Sequence, residues 1–166
     1  MIITGQVIKY GNDINTDVIF PGRYTYTVND PGEMARHAME DLDPDFPEKV
    51  KNACIIVAGK NFGCGSSREQ AVTALKFAGI KAIIAKSFAR IYYRNAINLG
   101  VPPIKLDSAG EINEGDKLEI NLEKGIITNK TTGKSYTFTP FPGFILEIIK
   151  DGGLLENLKK KIEKKI

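Results

Sequence analysis

Two adjacent serines and an arginine stand in a glycine-rich segment, GKNFGCGSSRE, which occupies residues 59–69. Ser66 and Ser67 carry hydroxyls that donate or accept hydrogen bonds, and Arg68 carries a planar guanidinium that pairs with carboxylate or phosphate. The segment follows an apolar run, ACIIVAG, and precedes a helical pattern, QAVTALKFAG. Because the free N–H groups at the start of a helix attract anions, the combination predicts an anion-binding turn.

A helix cap is the simpler interpretation of part of this segment. Ser66 and Glu69 have the spacing of a capping box, which would stabilise a helix by about 1 kcal/mol. A cap leaves Arg68 unexplained, because a cation in the first turn opposes the helix dipole by about 0.3–1 kcal/mol. A bound anion would remove that conflict, and Gly63 and Gly65 would let the backbone approach it closely. From the residues alone, the cap and the anion site both stay open.

Other kinds of site fit the sequence less well. A phosphate-binding P-loop needs its lysine directly after the last glycine, whereas Lys60 lies at the other end of the segment. A dinucleotide fingerprint needs a small residue where Arg68 stands, and the nucleophile elbow G-x-S-x-G is absent. His37 is the single histidine, and we expect it to be an ordinary helix residue. Two cysteines and one histidine do not make a metal site, so we expect no metal bound by this chain.

The composition is that of a folded domain. The chain has 166 residues, of which 42% are hydrophobic and 26% charged, and this predicts one domain over residues 1–166. The net charge of +3 does not indicate a nucleic-acid partner, and we interpret the lysines of the terminal LKKKIEKKI as a solvated helix face. We find no signal-peptide layout and no apolar stretch of about 18 residues, so we expect no membrane contact and a cytoplasmic location.

Alternating strand and helix patterns surround the glycine-rich segment. A first strand in IITGQVIKYG precedes an irregular stretch, a helix placed from about Gly32 to Leu42, and a loop in DPDFPEKV. Three apolar strands follow in ACIIVAG, KAIIAKS and VPPIKL, separated by a helix that begins at Ser66 and another in FARIYYRNAINLG. Strands and helices that alternate at this spacing predict βαβ crossovers and a parallel sheet.

The pattern changes after residue 114. GDKLEINLEKGIITNKTTGKSYTFTPF alternates with a period of two residues and has turn signals at 123–125 and 132–133, which is typical of antiparallel strands. The segment GFILEIIKDGGLLENLKKKIEKKI predicts two helices broken at Gly152 and Gly153. The predicted fold class is therefore α/β, with a small parallel sheet around a βαβαβ core and additional antiparallel strands.

Four stretches carry a resemblance to a known family. NFGCGSSRE with AIIAKSFARIYYRNAINLG, INTDVIFPGRY and ILEIIKDGGLLE closely resemble the aconitase-type dehydratases, in particular the small subunits of isopropylmalate dehydratases. The resemblance covers nearly the whole chain. It implies the swivelling β/β/α domain of that family and a hydro-lyase that interconverts 2- and 3-isopropylmalate by dehydration and rehydration in leucine biosynthesis.

The resemblance also implies a partner. The family's [4Fe-4S] cluster would be supplied by a large subunit, with which this chain would form a heterodimer or heterotetramer and without which it would be inactive. The two cysteines agree with this expectation, because a cluster needs about three or four thiolates. The remaining partner would be a small hydroxy-dicarboxylate substrate.

By resemblance, the family's Ser-Ser-Arg motif falls on residues 66–68. Ser66 would be the base that removes a proton from the carbon next to a carboxylate, while Ser67 and Arg68 would bind the substrate carboxylate. A serine hydroxyl is a poor base at neutral pH, but helix amides and a guanidinium beside it would favour its ionised form. Asp17, in NTDVI, matches a recurring family acid and is assigned to site support, with a turn-stabilising role as the alternative.

The residues just before the serines are also assigned to site support. Gly63, Cys64 and Gly65 would shape the turn that presents the serines. Cys64 is either a small residue that fills a tight turn or a redox-sensitive thiol near the site. Cys54 lies in an apolar run, so we expect it to be a buried small hydrophobic residue.

The family reads the variable group of its substrate with the loop after PGRY. The residues assigned to substrate binding there are Arg23, Tyr24, Thr25, Tyr26 and Thr27. Homoaconitase-type subunits resemble YLRT at 24–27, so Tyr26 stands in place of an arginine that would pair with an extra carboxylate. A tyrosine cannot pair as a charge, which favours isopropylmalate over citrate or homocitrate.

Three alternatives stay open at this point. Arg23 is a second possible source of a cation in the loop, which would suit a homoaconitase. Methylmalate or dimethylmalate would suit Tyr26 as well as isopropylmalate does. A non-catalytic anion-binding module of the same fold is the alternative from a different functional class.

Overall fold

One mixed sheet of seven strands organises the computed structural model, which describes residues 1–164. The strands are β1 (Ile2–Lys9), β2 (Ala53–Ala58), β3 (Ala82–Ala85), β4 (Pro103–Lys105), β5 (Lys117–Asn121), β6 (Ile126–Asn129) and β7 (Ser135–Thr137). Their order across the sheet is β4-β3-β2-β1-β5-β6-β7. The sheet therefore has a parallel half and an antiparallel half that meet at β1.

The parallel half confirms the predicted βαβαβ core. Strand β2 pairs in parallel with both β1 and β3, and β3 pairs in parallel with β4. The connections carry two helices, α4 (Gln70–Ala78) and α5 (Arg90–Asn98). Since the carboxyl ends of parallel strands lie at one edge, the loops that follow β1 and β2 are brought side by side.

The antiparallel half confirms the change of pattern seen in the sequence. Strand β5 pairs antiparallel with β1 and β6, and β6 pairs antiparallel with β7. The two turns contain Gly125 at φ 66° and Gly133 at φ 78°, a left-handed conformation that glycine adopts without steric cost.

Both faces of the sheet are covered. One buried cluster includes Ile8, Ile56 and Ile83, and the other includes Val7 and Ile84, from alternate positions of the same strands. Strands buried on both faces have continuous apolar sequences rather than alternating ones, which accounts for runs such as ACIIVAG.

The remaining helices are short, apart from the last two. They are α1 (Thr16–Ile19), α2 (Pro31–Arg36), α3 (Phe46–Lys49), α6 (Gly143–Lys150) and α7 (Leu154–Glu163), with a 3₁₀ turn at Gly22–Tyr24. The break between α6 and α7 falls at the predicted glycine pair, both with positive φ. Among residues 1–164, no helix is both long enough and apolar enough to cross a membrane.

Two predicted elements differ from the structure. The helix expected over 32–42 ends at Arg36, and the chain then turns through Met39, whose φ is 61° and whose side chain is fully buried. The loop expected in DPDFPEKV contains α3, where Phe46 is buried with no exposed surface. In both places a fully buried apolar side chain, Met39 or Phe46, accompanies a backbone conformation that local sequence propensity does not predict.

Candidate active site

The glycine-rich segment runs from the carboxyl end of β2 to the start of α4. It lies beside the loop that follows β1, and the two are joined by backbone hydrogen bonds. The Gly63 N–H donates to the Ile14 carbonyl at 2.7 Å, and the Thr16 N–H donates to the Cys64 carbonyl at 2.8 Å. The sheet thus brings residues separated by about fifty positions into one small surface.

Two glycines, Gly63 and Gly65, adopt left-handed backbone conformations in this turn. Gly63 has φ 79°, and a Cβ there would lie 2.1 Å from the ring of Tyr92. Gly65 has φ 97°, and a Cβ there would lie 3.3 Å from the Thr16 Oγ1. Any larger residue would be strained at either position and would displace its neighbours.

The predicted capping box is wrong. The helix α4 begins at Gln70 rather than at Ser66, and Glu69 occupies its N-cap position without a side-chain capping bond. The Ser66 hydroxyl is instead engaged by Arg68 and Thr16. The fixed positive group beside Ser66 is therefore the guanidinium of Arg68, since the first helical residue lies four positions further along the chain.

Arg68 is held on three sides. Its Nε donates to Ser66 Oγ at 2.9 Å, its Nη1 donates to Thr25 Oγ1 at 2.7 Å, and its Nη2 forms an ion pair with Asp17. Its side chain is 16% exposed, so little water competes with these contacts. A guanidinium has more N–H donors than these three contacts use, so it can still donate to a bound anion.

The two serines face outward from this framework. Ser66 and Ser67 are both exposed, while Thr16, on the inner side of Ser66, is 1% exposed. The Thr16 and Ser66 hydroxyl oxygens lie 3.1 Å apart. The arrangement presents one hydroxyl that is fixed from behind by two polar groups and open to a ligand in front.

Asp17, which is assigned to site support, lies in contact with Arg68. It lies in α1, where Asn15 caps the helix by accepting from the Val18 N–H at 3.0 Å. Its carboxylate contacts the Arg68 guanidinium and remains 65% exposed. The carboxylate of Asp17 is thus placed where it can orient the Arg68 guanidinium.

The loop predicted to read the substrate is attached to the same framework. Besides its bond to Arg68, Thr25 accepts at its carbonyl from Gln70 Nε2 at 3.0 Å. The next residue, Tyr26, is 93% exposed, and Thr27 is exposed as well. Thr25 therefore attaches the loop to Arg68, and the next residue, Tyr26, extends into solvent.

Arg23 points to a different set of partners. It pairs with Glu40, and its Nη1 lies 2.8 Å from Asp41 Oδ2, while its guanidinium carbon lies 4.8 Å from the ring centre of Tyr24. The hydrogen bond with Arg23 lowers the pKa of Asp41, and the same bond raises the pKa of Arg23. Two carboxylates already neutralise this cation, so it is not a free charge for a substrate.

His37 lies directly after α2, which ends at Arg36, and not within a helix as expected. Its ring stacks on Tyr24 with centroids 3.9 Å apart, and its Nδ1 lies 2.8 Å from a Glu40 carboxylate oxygen. Burial acts to raise the pKa of Glu40, but hydrogen bonds from His37 and Tyr24 outweigh it and lower that pKa. The histidine thus stabilises the start of the loop and does not pair with a serine or cysteine.

Neither cysteine has the features of a reactive thiol. Burial raises the pKa of Cys64, and the nearby Asp13 carboxylate raises it further. Burial also raises the pKa of Cys54, whose Sγ lies 3.4 Å from the Thr4 carbonyl and which is half-buried rather than fully buried as expected. Since the thiolate is the reactive form, Cys64 fits the role of a small turn residue better than that of a redox sensor.

The residues of this chain do not fit an iron–sulfur cluster. Such a cluster takes about three or four thiolates, and the two cysteines of this chain lie apart, one in β2 and one in the glycine-rich turn. Within the described part of the chain, no three His, Cys, Asp or Glu side chains are grouped so that they could hold a metal ion.

Comparison with known proteins gives consistent relatives. Residues 13–109 match the Aconitase C-terminal domain family. The chain is 56% identical over 159 residues to the 3-isopropylmalate dehydratase small subunit 1 of Thermotoga maritima, covering 96% of each chain. It is 56% identical over 162 residues to the 3-isopropylmalate dehydratase small subunit of Nautilia profundicola, covering 98% of this chain and 97% of that one.

A solved structure agrees with these relatives. The crystal structure of 3-isopropylmalate dehydratase (leuD) from Methanocaldococcus jannaschii is 51% identical and superposes with a TM-score of 0.91, covering 99% of each chain. The two chains therefore share the backbone fold and also have the same residue at about half of their aligned positions.

Proposed function

Because this chain belongs to the aconitase family, among the 3-isopropylmalate dehydratase small subunits, we propose that it supplies the catalytic base and the carboxylate-binding residues of that hydro-lyase. The reaction it serves interconverts 2- and 3-isopropylmalate by dehydration and rehydration in leucine biosynthesis, together with a large subunit. One observation carries the assignment of roles: the exposed hydroxyl of Ser66 accepts a hydrogen bond at 2.9 Å from the guanidinium of Arg68, whose side chain is only 16% exposed.

In the proposed mechanism, Ser66 removes the proton from the carbon next to a carboxylate. The carbon–hydrogen bond breaks, its electron pair stays on the substrate, and the proton forms a new O–H bond on the ionised Ser66 oxygen. The fixed charge of Arg68 stabilises that ionised oxygen before the transfer and requires no reorganisation during it. Asp17 and Thr25 keep the guanidinium in place, so the charge is preorganised for this step.

The substrate carboxylate would be bound by the same surface. Arg68 retains N–H donors beyond its three contacts, and Ser67 presents an exposed hydroxyl next to it. A carboxylate bound there would place the adjacent carbon near Ser66. Gly63, Cys64 and Gly65 support the site by setting the path of the turn.

We assign the iron–sulfur cluster to the large subunit. The large subunit would hold the [4Fe-4S] cluster, which would supply a Lewis acid for loss of the hydroxyl, and this chain would contribute no ligand to it. Ser66 and Ser67 are exposed in the isolated chain, and a site open to water weakens every electrostatic contact that it makes. Docking of the large subunit over residues 59–69 would complete the site and exclude that water.

For the substrate, the loop favours an alkyl group over a third carboxylate. Arg23 is neutralised by Glu40 and Asp41, and Tyr26 has no charge to offer. An unpaired carboxylate would be costly in a closed site. We therefore propose isopropylmalate as the substrate, with Arg23, Tyr24 and Thr27 shaping the loop rather than pairing with the substrate as charges.

Replacement of Tyr26 by arginine tests this specificity. In the assembled enzyme, Tyr26→Arg should raise kcat/KM for homocitrate and lower it for isopropylmalate, each by about ten-fold, since one added ion pair in a closed site is worth a tenfold change or more. If kcat/KM were unchanged for both substrates, the loop would be excluded as the element that determines specificity, and the homoaconitase alternative would be open again.

The assignment of Ser66 is tested with Ser66→Ala in the cluster-loaded complex of small and large subunits. We expect kcat to fall by about 10³-fold or more, because the base is lost, while assembly stays intact. Ser135→Ala, which removes an exposed hydroxyl on β7, is the matched control and should leave kcat unchanged. A Ser66→Ala complex with normal turnover would remove the serine from its role.

Membership of this family also supports proposals about domain organisation and cellular location. We propose that residues 1–166 act as one swivel domain, since both buried clusters share the strands of a single sheet. We propose a cytoplasmic location because amino-acid biosynthesis takes place there. Fractionation of native cells, followed with an antibody against the chain, checks the second proposal.

A further inference from the structure

Thr16 is buried directly behind the proposed base. Its side chain is 1% exposed, and its Oγ1 lies 3.1 Å from Ser66 Oγ, across fifty positions of sequence. Its backbone is fixed as well: the N–H donates to the Cys64 carbonyl at 2.8 Å, and the carbonyl accepts from the Phe20 N–H at 2.9 Å. A β-branched side chain on a fixed backbone has few rotamers, so the position of this hydroxyl is determined by the fold.

The two polar contacts of Ser66 leave one direction free. Arg68 has no acceptor, so its Nε–H must donate to Ser66 Oγ. When the Thr16 hydroxyl donates too, two lone pairs of the Ser66 oxygen are occupied from the protein side. The remaining position of that oxygen then faces the exposed side of the turn, where a substrate would lie.

The surroundings leave space for this hydroxyl. Gly65 lies next to Thr16, and a Cβ at Gly65 would approach the Thr16 Oγ1 to 3.3 Å. A glycine at this position therefore lets the Thr16 hydroxyl reach Ser66 without crowding. The left-handed backbone of Gly65 and the buried side chain of Thr16 thus pack directly against each other.

We propose that Thr16 is a positioning residue: its buried hydroxyl donates to Ser66 Oγ and, with Arg68, directs the free electron pair of the ionised oxygen toward the substrate C–H bond. The inference rests on the proposed function of Ser66. Thr16 itself does not touch the substrate and takes no proton from it. Its contribution is a second fixed donor at an oxygen whose ionised form must be stabilised.

The test compares Thr16→Val with Thr16→Ser in the assembled, cluster-loaded enzyme. Valine has nearly the same shape without the hydroxyl, and we expect it to lower kcat by about 10²-fold, as loss of one preorganised donor does. KM should change by about two-fold or less, because substrate contacts are intact. Thr16→Ser restores the donor and should recover kcat to within about three-fold of the wild type.

A readout of proton transfer separates positioning from a merely structural effect. With isopropylmalate deuterated at the carbon that loses its proton, the primary isotope effect on kcat should be larger in Thr16→Val than in the wild type. The unfolding midpoint should fall by about 2–4 °C or less, since water can replace the lost contact at the exposed Ser66. Should Thr16→Val not assemble, Thr16→Cys provides a weaker donor of similar size and should lower kcat by an intermediate amount, about ten-fold.

The double variant Thr16→Val/Ser66→Ala distinguishes the possible failures. If Thr16 acts through Ser66, the double variant should be no slower than Ser66→Ala alone. Normal turnover in Thr16→Val and Thr16→Cys, with Ser66→Ala inactive, would overturn the role of Thr16 and leave the base assigned. An additive loss in the double variant would also overturn it, whereas an active Ser66→Ala would overturn the proposed function itself.

Discussion

Arg68 and Arg23 are both held by carboxylates, but the two arginines have different surroundings. Arg68 is 16% exposed, has one carboxylate partner and also donates to two hydroxyls, of Ser66 and Thr25. Arg23 is 53% exposed and is bound by the two acids Glu40 and Asp41. A single carboxylate partner leaves the largely buried Arg68 with unused N–H donors, whereas two carboxylates satisfy Arg23. The difference predicts that one arginine serves chemistry and the other holds the loop.

The proposed difference between Arg68 and Arg23 is tested most strongly by replacing each arginine with lysine. Lysine keeps the charge but loses the planar fork, so it cannot contact Ser66, Thr25 and Asp17 together. We expect Arg68→Lys to lower kcat in the assembled enzyme by about 10²–10³-fold. Steady-state kinetics of the complex provides the measurement.

Arg23→Lys is the matched control for that experiment. It makes the same change in an exposed ion pair that touches neither serine, so kcat should stay within about two-fold of the wild type. Equal losses in the two variants would contradict the distinction between the arginines.

A smaller effect is expected at Thr25, which joins Arg68 to the loop that contains Arg23. Thr25 accepts from Arg68 and belongs to the loop that Arg23 helps to hold. Thr25→Val removes this link, so the loop should lose its position relative to Arg68. We expect KM to rise by about ten-fold, with a smaller change in kcat, since a hydrogen bond to a charged group is worth about 1.5–3 kcal/mol.

Thr27→Val is a suitable control for Thr25→Val, because Thr27 is an exposed threonine of the same loop with no described contact to Arg68. Its KM should match that of the wild type. A tenfold rise in both variants would mean that the loop responds to any loss of a hydroxyl and that the contact with Arg68 is not special.

The smallest effect concerns stability around Arg23. Its hydrogen bond lowers the pKa of Asp41, so this contact stabilises the folded state above the unfolded pKa, about 4. The contribution is lost as pH falls through the lower folded pKa. Arg23→Gln should therefore lower the unfolding midpoint slightly at pH 7, and the difference should shrink as pH falls below about 4, in thermal melts of the isolated chain. A pH-independent difference would exclude the ion pair as its cause.

The elements that local sequence determines were predictable. Apolar runs, the glycines at the turns near 125 and 133, and the broken helix at 152–153 depend on neighbouring residues, and the structure confirms them. The resemblance to aconitase-type dehydratases, carried by motifs such as GSSRE, pointed to Ser66 and Arg68 for the same reason, since the motif is continuous in the chain.

The features that distant residues determine were missed. Ser66 has the spacing of a helix cap, yet its hydroxyl contacts Thr16, fifty positions away, and α4 begins at Gln70. The partners of Arg23 at 40 and 41 lie where a helix was expected, in a turn that depends on the burial of Met39. Thr16 gave no signal of its own, apart from its place beside Asp17 in NTDVI, because its role depends on the register between two loops.

The exchange of the substrate's C–H proton with solvent tests the central claim most directly, because it follows proton removal apart from loss of the hydroxyl. The assembled enzyme is incubated with isopropylmalate in D₂O, and deuterium in recovered substrate is measured by NMR. We predict that Ser66→Ala abolishes exchange, while Ser135→Ala exchanges at the wild-type rate. Exchange at the wild-type rate in Ser66→Ala would contradict the account, because another group would then be the base.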